Sequence, residues 1–318
     1  MKLLAKVFLL QFLLLQGMLH AQDIQYVLAE SGLNMRSSAG TSGEKIGKLA
    51  LGTEVEVLTH TGNSLTISDN GKEIKGEWVE VKARNGALAN KSGFVVSGFL
   101  GEISPPVPMA ILVPGNFHGE DVPPNSGSRE WLGLFEGEEG FYVSYVEPSL
   151  KRVYDSMLDV EGEKTGWKVG TNNKDTCTLL VAGLAVNEGK VDHYPIEDKS
   201  PLPGSSIYFE GPKVPTSLFV TGRAELVDYG LLMKEYALTL RSGKGTEDYT
   251  QEFLHIEHLE ETRVEILWSG DIDRDGKLDL LINTSNHYNL YQPTLYLSSR
   301  AAKGKLLRKM ASFRATGC

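Results

Sequence analysis

The chain is expected to be all-β. Short runs that alternate apolar and polar residues recur along its length, turn residues separate them, and no long segment carries a helical period. The turn residues are abundant: 34 glycines and 13 prolines in 318 residues, many of them between the alternating runs. That length accommodates about two domains with cores of their own. The formal net charge of −9 argues against a general nucleic-acid binder and against a polybasic membrane contact.

Residues 1–6 place Lys2 and Lys6 ahead of the apolar run 7–15. This is the form of a secretory signal peptide over 1–21, with cleavage near Ala21. The run is short for a bilayer span, and no later segment is long and apolar enough to make one. The expected location is therefore secreted or periplasmic. Export changes how the two cysteines read, because an even count in an oxidising compartment suggests a bond. A Cys177–Cys318 disulfide would pin the C-terminus.

Over 22–101, Val55, Val57, Trp78, Val79 and Val81 lie in alternating runs broken by glycine-rich turns, as short strands require. Asp69-Asn70-Gly71 is a hairpin signal, since Asn-Gly accepts positive φ. The ordered segments Ser31-Gly-Leu-Asn-Met-Arg-Ser37, Lys45-Ile-Gly-Lys-Leu49, Leu51-Gly-Thr-Glu-Val-Glu-Val-Leu58, Gly76-Glu-Trp-Val-Glu-Val81 and Ser92-Gly-Phe-Val-Val-Ser-Gly-Phe-Leu100 resemble the bacterial SH3 (SH3b) domain. The resemblance implies a small SH3-like barrel that binds peptidoglycan, a peptide or an envelope protein. Two features depart from the family: its proline after Arg-Ser-Gly is missing, and 61–75 is longer than usual. Both lie where a ligand groove would be lined. Trp78 suits either that groove or the core.

Residues 102–128 hold Pro105, Pro106, Pro108, Pro114, Pro123 and Pro124. Proline at that density breaks regular hydrogen bonding, so a linker or long ordered connection is expected. Strand signals resume in 129–318, at 131–135, 141–146, 178–184, 206–209, 217–220, 234–240, 252–257 and 294–297. One or two antiparallel sheets, or a sandwich, would accommodate them.

Within that second region, 268–282 carries D-x-D-x-D-G-x-x-D. Asp271, Asp273 and Asp275 would offer side-chain oxygens to one hard cation, Lys277 its carbonyl, and Asp279 a ligand directly or through water. Gly276 falls where the loop must turn sharply. An EF-hand would need a bidentate Glu at position twelve, where this chain has Ile282. An alternating run at 263–268 and a short apolar, strand-like run at 278–282 flank the loop, so a strand–loop–strand site is expected over 271–279. It resembles the FG-GAP calcium loop, which implies Ca²⁺. The motif occurs once, so a propeller of such repeats is not implied.

Complete catalytic motifs are missing: no G-x-S-x-G, P-loop, dinucleotide fingerprint or H-E-x-x-H. His255 and His258 sit three apart in an alternating run, which sends them to opposite faces of a strand. The expectation is an exported, non-catalytic, calcium-stabilised binding protein of the bacterial envelope. The alternative is an SH3b-containing cell-wall cysteine hydrolase using Cys177 as nucleophile and His193 as base.

Overall fold

The computed structural model describes residues 23–69, 72–105, 107–124, 126–227, 230–244 and 247–316. The signal segment with Ala21, the Asn70-Gly71 turn and Cys318 lie outside the described residues. Among the described residues the helical elements are two 3₁₀ turns, Ser97–Phe99 and Ser126–Ser128, and the protein is all-β. It divides between Pro105 and Pro106 into two compact units.

The first unit is one antiparallel sheet in the order Lys45–Leu49, Leu33–Arg36, Ser92–Val96, Lys72–Ala83, Glu54–Asp69, Asp23–Val27, Leu100–Gly101. Alternation turns Val79, Val81 and Ala83 into a core with Val27, Met35, Leu49, Val55 and Val95. Trp78 points to the opposite face, opposite Val96 on the neighbouring strand, and is buried there at 7% exposure. It is a packed side chain rather than an exposed groove aromatic. The extra length at 61–75 becomes a two-stranded ribbon, with the register shifted between His60 and Ser64. The ribbon lies against the first 3₁₀ turn. A Cβ on Gly98 would overlap the Lys75 carbonyl, and one on Gly76 would overlap the Gly98 amide. Both positions need glycine for that close backbone approach.

The second unit starts earlier than the proline content suggests. Ala110–Leu112 pairs with Thr176–Ala182, and Gly115–Phe117 pairs with Gly166–Thr171. Ile111, Leu112, Val113 and Val122 are buried in its core. Most of 102–128 is therefore integral structure and not a linker. The described prolines there, Pro105, Pro108, Pro114, Pro123 and Pro124, fall between short strands, where no ladder hydrogen bond is lost.

The unit also holds more sheets than the one or two expected. A five-stranded sheet runs Gly189–Lys190, Gly140–Val146, Trp131–Gly137, Thr176–Ala182, Ala110–Leu112. A second runs Asp192–His193, Glu265–Asp271, Asp279–Asn283, Pro293–Leu297, Arg308–Ser312. Strands Pro148–Val153, Gly166–Thr171 and Gly115–Phe117 form a three-stranded sheet packed into the first core. Strands Ser206–Phe209, Thr216–Val227, Gly230–Lys244 and Glu247–Leu259 form a four-stranded one.

The second five-stranded sheet is a middle layer. Trp268, Leu281, Leu295 and Leu297 face one core cluster, while Ile266, Leu280, Ile282 and Tyr296 face another. Burial on both faces explains why Leu280, Leu281 and Ile282 form a continuous apolar run and not an alternating one.

Two outcomes check this account. A fragment of residues 22–105 is expected to unfold in one cooperative transition with a dispersed NMR spectrum; a disordered spectrum would contradict its independence. Gly98→Ala in that fragment should lower stability by about 1–3 kcal/mol by overpacking, measured by urea unfolding, and an unchanged midpoint would refute the close approach.

Candidate functional site

The acidic segment joins Glu265–Asp271 to Asp279–Asn283, two antiparallel neighbours in the middle sheet with Gly270 opposite Asp279. It is the strand–loop–strand arrangement the flanking runs imply. Local hydrogen bonds set its shape. The Asp275 amide donates to Asp271 Oδ1 at 3.0 Å and the Gly276 amide to Asp271 Oδ2 at 2.6 Å. The Lys277 amide donates to Asp275 Oδ1 at 2.8 Å. Gly276 takes φ 84°, a left-handed turn that suits glycine. The Lys213 side chain also fills the space where a Cβ would stand.

This turn gathers carboxylates. One oxygen from each of Asp271, Asp273 and Asp275 lies within 4.8 Å of the others. Asp273 Oδ2 accepts from the Ser299 hydroxyl, while its Oδ1 is buried without a hydrogen-bond partner. A buried oxygen left unsatisfied is costly and asks for a partner. Burial, then the charges of Asp275 and Asp273, push the Asp271 carboxyl up, against two backbone hydrogen bonds that pull it down. Asp273 is also pushed up, first by burial and then by Asp275. The site disfavours its own negative charge, as clustered and buried carboxylates do. Three hard oxygens with one unpartnered fit a hard cation better than a soft metal.

Asp279 behaves differently from its three neighbours. It is fully buried, and both its oxygens are already used. Oδ2 accepts the Ile272 amide at 3.0 Å. Oδ1 accepts the Ser298 amide at 2.8 Å and the Ser298 hydroxyl at 2.9 Å. Burial and then Asp273 hold its carboxyl well above the usual range. Asp279 therefore serves as a buttress beneath the loop, outside the group of three. Ser298 Oγ also reaches Asp275 at 3.0 Å.

Ser298 and Ser299 escaped the sequence reading because nothing local marks them. The sheet register that sets Leu280 opposite Tyr296 is what delivers them to the loop.

The other candidate residues lie outside the acidic loop. His255 and His258 are both exposed, and their ring nitrogens approach Glu235 at 3.1 Å and Glu257 at 3.6 Å. Cys177 donates to the Leu179 carbonyl at 3.6 Å, and burial pushes its thiol up to about 12. That is opposite to the shift a cysteine nucleophile needs. His193 belongs to the other five-stranded sheet. Its ring lies 4.5 Å from Phe141 and 6.3 Å from Trp268, and burial moves its pKa down. Cys177 has no disulfide partner among the described residues, and its expected partner Cys318 is outside them.

Residues 31–101 match the family model of the bacterial SH3 domain. No curated protein and no solved structure matches the chain. Among the described residues no helix is long and apolar enough to cross a membrane.

The different roles of the aspartates are separable by mutation in EDTA. Asp279→Ala strands buried donors and should cost about 1–3 kcal/mol. Asp273→Ala relieves like-charge repulsion and should be neutral or stabilising. Chemical denaturation of both variants decides it, and equal losses would refute the assignment.

Proposed function

We propose that the protein is an exported, non-catalytic binding protein of the bacterial cell envelope. Its SH3 module takes peptidoglycan or a peptide or protein ligand, and its second unit is stabilised by Ca²⁺ at the acidic loop. The family match over 31–101 carries this reading, since bacterial SH3 domains bind cell-wall peptidoglycan or peptides. The ribbon at 61–75 and the burial of Trp78 support a binding surface of its own kind, because both alter what a ligand would meet.

The non-catalytic reading draws on the thiol of Cys177. A half-buried thiol whose hydrogen bond among the described residues leads to a backbone carbonyl is a poor nucleophile. Incubation with purified peptidoglycan tests both halves at once. Co-sedimentation without release of soluble muropeptides is expected. Release that disappears in Cys177→Ser would replace this reading with a cysteine hydrolase.

The calcium reading draws on the spacing of Asp271, Asp273 and Asp275, on the unpartnered Asp273 oxygen and on the resemblance to an FG-GAP loop. Lys277 would add its carbonyl, and Asp279 would hold the loop from below. An all-oxygen site of carboxylates and a carbonyl suits Ca²⁺ better than the strictly octahedral Mg²⁺. With ~1 mM Ca²⁺ and a dissociation constant of ~0.1 mM, binding to the folded state adds about 1.4 kcal/mol. The melting temperature should rise between EDTA and millimolar Ca²⁺. Asp271→Ala or Asp275→Ala should abolish the rise, and Asp155→Ala should keep it. Identical melting in both buffers would leave the loop as an acidic turn only.

A further inference from the structure

Arg274 stands between Asp273 and Asp275 with φ 63°. A non-glycine residue enters that left-handed region at a cost of about 1–2 kcal/mol. Its guanidinium shows what holds it there. Nε donates to the Lys190 carbonyl at 2.9 Å, and Nη1 donates to the Asn187 carbonyl at 2.9 Å. Those acceptors are 84 and 87 positions away in the chain.

The segment they belong to joins the two five-stranded sheets. Gly189–Lys190 pairs with Tyr142 and Val143 in the first, and Asp192–His193 pairs with Asp271 and Gly270 in the second. Gly189 lets the guanidinium lie close, since a Cβ there would stand 3.3 Å from Nη2. Gly189 and Lys190 also line an open cleft of about 370 Å³, together with the turn 137–140, Tyr142, Lys174 and Asp175.

We propose that Arg274 couples cation occupancy of the acidic loop to the order of this cleft wall. The inference rests on the calcium reading above. Arg274 is flanked on both sides by carboxylates of the site, so its backbone cannot shift without moving Asp273 and Asp275. An ion that draws the three carboxylates together fixes the root of the side chain. The planar guanidinium, bonded at two points, then carries that restraint to the 187–190 backbone. With no ion, repulsion within the loop and relief of the left-handed backbone both favour release of the tether. A ligand that needs the ordered wall would bind more tightly with the cation present, and would tighten the cation by the same factor.

Hydrogen exchange of the full chain, in EDTA and in millimolar Ca²⁺, tests the coupling beside calorimetry of Ca²⁺ binding. In the wild type, Ca²⁺ should slow the amides of 187–191 by on the order of tenfold, within the usual range of coupling between sites. Arg274→Asn tolerates the left-handed backbone but is too short to reach the carbonyls. It should bind Ca²⁺ as the wild type does, keep slowed exchange inside the loop, and lose the slowing at 187–191. If that variant fails to fold, Arg274→Lys takes its place, with partial loss expected because a lysine offers no fork. Slowing at 187–191 that persists without the guanidinium overturns the coupling. So does a wild type that binds Ca²⁺ with no change there. A wild type silent in calorimetry overturns the calcium reading itself, and the coupling with it.

Discussion

Asp279 is a carboxyl group with no exposed surface at the head of a strand buried on both faces, and its hydrogen bonds fasten the acidic loop to the sheet that carries it. Its oxygens tie the loop at Ile272 to the end of the neighbouring strand at Ser298. Because that strand lies between two core clusters, the loop starts from a rigid base. The three remaining aspartates are then presented at the end of the sheet, with their turn fixed by hydrogen bonds from Asp275 and Gly276 to Asp271. The acidity of the loop is local, but its geometry comes from the layers on either side.

Much of this was legible in the sequence, and the reasons are specific. Alternation with glycine-rich turns marked the β-class, and the SH3-like segments marked the first unit. The spacing of the acidic residues marked the loop, and the structure brings Asp271, Asp273 and Asp275 together there. Flanking strand patterns correctly separated it from an EF-hand.

What stayed hidden was set by tertiary context. Prolines at 105–124 suggested a linker, but they punctuate short strands whose Ile111 and Leu112 belong to the core. The number of layers was out of reach, since a run such as Leu280-Leu281-Ile282 shows burial on both faces without naming what covers them. Asp279 matched a ligand position by spacing, and only the register with 293–297 shows its oxygens turned towards Ser298 and Ile272. Trp78 was open between core and groove. The pleat sends it away from Val79 and Val81, and packing beside Val96 buries it.

The central claim is that the acidic loop is a built cation site, its three carboxylates collected on a scaffold that Asp279 secures. Equilibrium dialysis of the full chain against radioactive calcium measures it most directly. The account predicts one saturable ion per chain, undiminished by equimolar Mg²⁺ and absent after Asp275→Ala. Binding that never saturates, or that survives unchanged in that variant, would contradict it.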